Sequence, residues 1–429
     1  MHNGRPTSHS FHIITAGCKV NQYESEMMRE ELIAAGWAER PDEPDVVVVN
    51  TCTVTHRADA KARRAIRRAA REHPGCRIAV TGCAVERDRG FCDGLPGVWR
   101  VLGNDAKPFI AQALAGENGH LSAEARPFGR GISGFSGHTR AFVKVQDGCS
   151  AGCTYCIVPA VRGRERSRPS GEVVAEVARL AGRFHEIVLT GIHLGRYEDP
   201  DAGIGLAGLA SRLLGDTPIE RLRLSSIEPG EVTDELISLC ARSDRLCPHF
   251  HVPLQSGSDR VLGRMNRPYT AAEYLALLDR LRGELDRPAV STDVMVGFPG
   301  ETAADFGRTL AVCEQAQFAR IHVFPYSDRP GTAASKLPDK VHDADVSDRK
   351  AQLEERADQL ALEYKRRFVG RTLSVLVESR CDRTGTLSGY CPRYLRVRFE
   401  GPAEMVGRVR PALITGARPD ILLGQAEHA

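Results

Sequence analysis

The run Asp147-Gly148-Cys149-Ser150-Ala151-Gly152-Cys153-Thr154-Tyr155-Cys156 constrains this chain more than any other stretch. Three thiols in a C-x3-C-x2-C array act together only if the fold presents their loop at an open site. Thiolates at this spacing fit one face of a [4Fe–4S] cube and leave the fourth iron without a protein ligand, a place to bind and reduce a second molecule. Zinc is the structural alternative, but zinc sites ordinarily take a fourth Cys or His close by, and the next histidine is His185. Three small buried hydrophobes fit poorly with a loop so rich in Gly, Ser and Asp.

The 429 residues suffice for two or three domains. A hydrophobic content of 42% with 26% charged residues is that of a water-soluble protein. No apolar run is long enough to span a membrane, and Met1–Ser10 lacks a signal-peptide core. Thirteen cysteines without a secretion signal predict reduced thiols in the cytoplasm, some of them holding metal. A net charge of +3 is too mild to establish a nucleic-acid partner.

The sequence divides into three segments, predicting domains at 1–137, 138–367 and 368–429. In the first, Phe11–Thr15, Asp45–Asn50 and Arg77–Thr81 read as strands separated by helical stretches, hence a parallel α/β sheet. Cys18, Cys52 and Cys83 follow those strands, 34 and 31 residues apart, so all three fall at the carboxyl edge, where open α/β sheets bind ligands. Cys76 and Cys92 lack that placement and read as filler, and residues 116–137, polar and Gly-rich, read as a linker. The second segment repeats strand then helix. Its strands are Ala141–Val145, Glu186–Thr190, Arg221–Ser225, Phe250–Leu254, Ser291–Val296 and Ile321–Pro325, which predicts a partial (β/α)6 barrel with catalytic residues at the strand C-termini. After about Val346 a charged helix runs to Arg367, and alternating strands such as Leu373–Glu378 and Tyr394–Phe399 then suggest a small β-barrel.

Basic residues gather in three places: Lys61, Arg63, Arg64, Arg67, Arg68 and Arg71 on one helix; Arg162, Arg164, Arg166 and Arg168 after the cysteine loop; Arg393, Arg396, Arg398, Arg408 and Arg410 in the last segment. Backbone phosphates are their natural counterpart, with solvated faces, or ion pairs for the second group, as the plainer alternative.

The cysteine loop resembles that of radical S-adenosylmethionine (SAM) enzymes, and Gly297-Phe298-Pro299-Gly300-Glu301 resembles the Gly-x-x-Gly-Glu stretch beside their SAM. The resemblance implies that the open iron of the Cys149, Cys153, Cys156 cluster binds SAM and cleaves it to a 5′-deoxyadenosyl radical. It marks Tyr155 as a neighbour of the SAM adenine. Strand ends add Ser226, Glu228, Gln255, Asp293 and Gly297 as candidate SAM contacts. With Cys18, Cys52 and Cys83, the chain resembles the methylthiotransferases across all three segments: a three-cysteine domain, a radical-SAM domain and a TRAM-type barrel. That resemblance implies a second, auxiliary [4Fe–4S] cluster handling sulfur, one SAM as methyl donor and another as radical source. Its implied partners are tRNA, a reductant such as flavodoxin or ferredoxin, and a sulfur source. Cys18-Lys19-Val20-Asn21-Gln22-Tyr23-Glu24, Asn50-Thr51-Cys52-Thr53-Val54-Thr55 and Ala58-Asp59-Ala60-Lys61 look like the subgroup that converts threonylcarbamoyladenosine, next to the tRNA anticodon, to its 2-methylthio form. The alternatives are subgroups acting on isopentenyladenosine in tRNA or on a ribosomal-protein aspartate.

Overall fold

The computed structural model describes residues 9–116 and 128–427. The N-terminal sheet has five parallel strands, β1 (Ser10–Thr15), β2 (Ala38–Glu39), β3 (Val46–Thr51), β4 (Arg77–Gly82) and β5 (Val98–Leu102), in the order β2-β1-β3-β4-β5. The middle strand β3 reads Val-Val-Val-Val-Asn-Thr and is buried throughout, as a parallel strand covered on both faces must be. Helices α1 (Lys19–Ala34), α2 (His56–Glu72), α3 (Cys83–Arg87) and α4 (Ile110–Ala115) connect and flank these strands. Helix α2 starts where the Thr55 hydroxyl accepts from the Ala58 amide, a side-chain N-cap.

The central segment carries β6 (Arg140–Asp147), β7 (Arg166–Ser167), β8 (Glu186–Gly191), β9 (Arg221–Leu224), β10 (His249–His251), β11 (Ala289–Val296) and β12 (Arg320–Pro325). They form a four-stranded sheet, β7-β6-β8-β9, and a three-stranded one, β10-β11-β12. Single bridges from Leu222 to Leu246 and from Ser226 to His251 join the two into an open barrel of six parallel strands, with β7 antiparallel at the edge. Outside it lie α5 (Val158–Arg162), α6 (Ser170–Ala181), α7 (Leu206–Asp216), α8 (Asp234–Arg242), α9 (Asp259–Arg264), α10 (Ala271–Glu284), α11 (Ala303–Ala316) and α12 (Asp343–Arg366). Capping boxes at Thr270/Glu273 and Thr302/Asp305 start α10 and α11.

Two sequence expectations change. The fourth barrel strand is His249–His251 rather than Phe250–Leu254, because the chain turns away through Pro253 and Gln255, whose φ is +62°. Residues 128–137 are not a free linker: Phe128, Ile132 and Phe135 are buried, the last two in the central core with Tyr23 and Met27 of α1. The remainder of the expected linker, 117–127, lies outside the described residues.

The last segment is a closed barrel of β13 (Thr372–Cys381), β14 (Thr386–Tyr390), β15 (Arg396–Glu400), β16 (Val409–Ala417) and β17 (Leu422–Ala426), in the order β13-β14-β15-β17-β16. It seats on the N-terminal ends of the central strands. Arg223 donates to the Pro392 carbonyl (2.8 Å) and pairs with buried Glu186 (2.6 Å). Arg221 donates to the Ser374 carbonyl (3.0 Å). The Arg140 guanidinium pairs with Glu378 (2.6 Å) and lies about 5 Å from the Tyr390 and Tyr394 rings. The small barrel therefore plugs the end of the large one opposite the cysteine loop.

Candidate functional site

Cys18 follows β1, Cys52 follows β3, and Cys83 opens α3 directly after β4; these three strands are adjacent and in register at Thr15, Asn50 and Thr81. Side-chain ties fix their ends. Asn21 donates to the Thr51 carbonyl (2.8 Å), Asn50 donates to the Asn21 carbonyl (2.9 Å), and the Thr51 hydroxyl donates to the Thr81 carbonyl (2.7 Å). Gly82, at φ +105°, lies against the Thr51 backbone, where a Cβ has no room. Burial pushes the Cys52 thiol up to about 11, with Cys18 and Cys83 near enough to add to that rise.

The second triad sits on the loop after β6. Gly148, at φ +79°, turns the chain so tightly that a Cβ would strike the Arg164 carbonyl. The Cys149 amide donates to Gly163 O (3.0 Å), the Thr154 amide to Met265 O (3.0 Å), and Asn266 Nδ2 to Gly152 O (3.0 Å). Burial pushes Cys156 up to about 12, with Cys153 and Cys149 adding in the same direction. Helix α5, about 7 Å long at 1.5 Å per residue, carries the chain from this triad to the other. Its Ile157 and Val161 flank pack with Cys83.

Each triad receives one arginine. Arg162 Nε donates to Cys83 Sγ (3.2 Å), and its other nitrogens go to Asn21 Oδ1 (2.9 Å) and Glu24. Arg267 Nη1 donates to Cys153 Sγ (3.2 Å) while Nη2 pairs with Glu228. His193 Nδ1 lies 3.3 Å from Cys149 Sγ, and its Nε2 is 2.8 Å from Glu231. Arg329, 1% exposed, holds the Thr53 carbonyl (2.7 Å) and Asp59 (2.9 Å), fixing the chain beside Cys52. Sequence reasoning missed Arg162 as a thiol donor, and missed Arg267, His193 and Arg329. No spacing pattern links them to the cysteines, because each arrives from a different element.

The remaining strand-end candidates divide. Tyr155 sits edge-on to Phe298, 6.5 Å between ring centroids, in an aromatic cluster with Tyr326. Ser226 is exposed at the bridge to His251. Gln255 is buried, strained at φ +62°, and leaves Oε1 without a partner among the described residues. Glu228 is engaged by Arg267. Gly297 gives no open cradle: the space beside it is filled by Val346 of α12, and its amide donates to Glu301 (3.2 Å). Asp293 is partly exposed and meets His251 and His322 inside the barrel, with one ligand-type atom of each within 4.8 Å of the others. His251 Nδ1 and His249 Nε2 share the Ser291 hydroxyl at 2.9 and 3.1 Å. Burial, then Arg320, hold His322 down to about 4, Asp293 opposing. The barrel interior is polar.

Of the basic groups, Arg162 and Arg168 are buried in ion pairs with Glu24 and Glu176, and Arg393 donates to the Arg287 carbonyl (2.9 Å), so these three are structural. Arg164, Arg166, Arg396, Arg398, Arg408 and the whole α2 set remain exposed. Among the described residues no helix is long and apolar enough to cross a membrane.

Residues 143–313 match the radical SAM superfamily, and residues 10–95 match the uncharacterized protein family UPF0004. The chain is 38% identical to the threonylcarbamoyladenosine tRNA methylthiotransferase MtaB of Bacillus subtilis, covering 93% of this chain and 92% of that one. It is 39% identical to the protein of that name from Thermotoga maritima, covering 91% of each. It is also 36% identical, over 96% of both chains, to the tRNA-2-methylthio-N(6)-dimethylallyladenosine synthase of Sphingopyxis alaskensis. The solved radical SAM methyltransferase TsrM from Kitasatospora setae shares the fold at a TM-score of 0.56 and 15% identity, over 89% of this chain and 77% of that one.

Proposed function

Because this chain belongs to the radical SAM methylthiotransferases of tRNA, we propose that it converts threonylcarbamoyladenosine beside the anticodon to its 2-methylthio derivative. Enzymes of this family use SAM and [4Fe–4S] clusters, which when bound supply the electron, the radical and the sulfur. Cys149, Cys153 and Cys156 would hold the SAM-binding cluster, and Cys18, Cys52 and Cys83 the auxiliary one. Both triads fit the group by their chemistry: each offers three thiols, two of them near enough to raise the pKa of the third, and each receives one arginine N–H at 3.2 Å from a sulfur. Gly148 and Gly82 set the loops at those sites, while Tyr155, Ser226, Gln255 and Asp293 would position SAM or the base between them. The three units, 1–137, 138–367 and 368–429, would divide sulfur handling, radical generation and RNA binding. A low-potential reductant and a sulfur source would be drawn from the cytoplasm.

The observation that carries the substrate is the polar barrel interior. His249, His251, Ser291, Asp293 and His322 face one another there. Buried and half-buried hydrogen-bonding groups suit the hydroxyl, amide and carboxylate of a threonylcarbamoyl group, and an isopentenyl chain would offer them no partner. The test offers the reconstituted protein two tRNAs, one with each modification, with SAM and dithionite, and digests the products. Methylthio-threonylcarbamoyladenosine should dominate. Mass gained only by the isopentenyl tRNA would overturn the substrate, leaving the family unaffected.

A further inference from the structure

We propose that Lys19 is the cation that receives the carboxylate of the substrate's N6 side chain, an inference that rests on the threonylcarbamoyl reading above. Lys19 is the first residue of α1, directly after Cys18. Positions 19, 23 and 27 fall on one stripe of that helix. Tyr23 and Met27 are both buried in the central hydrophobic core, with the Tyr23 hydroxyl bonded to Glu176 of α6, so the stripe faces the central segment and Lys19 continues it at the end that bears the cysteine triad.

The Lys19 charge is felt at the polar barrel interior. His249 and His322 belong to β10 and β12. The Lys19 charge is among the causes that disfavour protonation of both, after burial and the nearer cations. His249 is 7% exposed, and its Nδ1 has no partner among the described residues. The neighbouring carboxylates are already engaged: Asp293 with His251 at 3.3 Å, and Glu24 with Lys144 at 2.8 Å and Lys107. Lys19, half-buried, takes part in no ion pair among the described residues. An ammonium without a carboxylate partner gains a charge-assisted hydrogen bond when an anion arrives.

The substrate geometry agrees. In a purine, C2 and C6 flank the same nitrogen, N1. A group on the C6 amine therefore lies close to the edge at which C2 reacts. With the sulfur delivered from the Cys18, Cys52, Cys83 triad, a side chain on that edge meets the residue next to Cys18. A neutral isopentenyl chain offers Lys19 nothing, so the same interaction selects between the two tRNA substrates.

The test uses the full cluster-loaded chain and anticodon stem-loop RNAs that carry adenosine, isopentenyladenosine, threonylcarbamoyladenosine or the threonylcarbamoyl methyl ester. Kd is read by fluorescence anisotropy. Wild type should prefer the free acid to its methyl ester, and Lys19→Gln should lower affinity for the free acid roughly 10- to 100-fold. Lys19→Gln should leave the unmodified stem-loop unaffected, and Lys19→Arg should retain most of the preference. An equal loss for every RNA would reduce Lys19 to a phosphate ligand and overturn the proposal. Equal wild-type affinity for acid and ester would overturn it whatever the variants do, including a Lys19→Gln protein that fails to hold iron. A wild type that prefers the isopentenyl RNA would instead overturn the substrate on which the proposal rests.

Discussion

Arg162 and Arg267 do the same job at two places. Each is a buried guanidinium with a carboxylate at one end and a cysteine sulfur at the other. On the proposed ligation, each N–H donor stabilises the more negative, reduced state of one cluster. A hydrogen bond of about 0.5–1.5 kcal/mol corresponds to roughly 20–60 mV for a one-electron couple at about 59 mV per tenfold change. Arg267→Gln should therefore lower the midpoint potential of the Cys149 cluster by that amount and leave the other unmoved; Arg162→Lys should do the reverse. Potentiometric EPR distinguishes them, and equal shifts of both signals would show that the arginines act on the fold alone. The two triads were legible in the sequence as cysteine spacing and as strand-end position. The arginines were not, because their partners lie 79 and 114 residues away. Arg162 was visible only as one of four alternating arginines, read as a phosphate-facing or ion-pairing run; the ion pairs hold for Arg162 and Arg168, the two that are buried.

Helix α1 ties the N-terminal sheet to the central barrel through a buried carboxylate. Glu24 is 2% exposed and meets Lys107, Lys144 and Arg162, which come from three other elements. Burial alone would raise its pKa, but the three cations override it and hold it well below the usual carboxylate range. Glu24→Gln leaves buried cations without their counter-charge, a class of change that costs about 3–5 kcal/mol. The variant should melt at clearly lower temperature and load less iron at the Cys18 triad, since Arg162 bonded to Glu24 also holds Cys83. The sign with pH follows from the depressed pKa. The carboxylate contribution is complete above its unfolded value, near 4.3, and is lost as pH falls through the lower folded value. Acid titration of melting temperature should therefore fall more steeply in wild type than in Glu24→Gln; parallel curves would remove Glu24 from the account. The sequence placed a helical stretch between two strands but carried no sign of this network, because Lys107, Lys144 and Arg162 lie 83, 120 and 138 residues from Glu24. Residues 128–137 misled for the opposite reason: their glycines signal a linker, yet Ile132 and Phe135, only three residues apart, are buried in the core.

At the scale of the whole molecule, most of the clustered exposed cations lie on two modules, with Arg164 and Arg166 beside the cysteine loop between them. Helix α2, just after Cys52, shows Lys61, Arg63, Arg64, Arg67, Arg68 and Arg71 to solvent, and the C-terminal barrel shows Arg396, Arg398 and Arg408. Replacing Arg396, Arg398 and Arg408 by Ala should weaken tRNA binding. The slope of log affinity against log salt should fall by roughly 2 to 3, at about 0.7–0.9 for each phosphate no longer neutralised. SAM cleavage without tRNA should be unchanged, because these side chains are remote from both triads; an unaltered slope would make this face mere surface. Removing the whole barrel is a different experiment. Arg223 and Arg221 would be left without the Pro392 and Ser374 carbonyls they bond, and His249 without the Tyr394 ring it packs against. That seal also sets a timetable for biosynthesis. The chain is made from its N-terminus, and domains generally fold in that order, but the floor of the central barrel is supplied by the last strands to be translated. While the ribosome still holds residues 372–426, both cysteine triads are already synthesised, and the barrel between them stands open to water at its base.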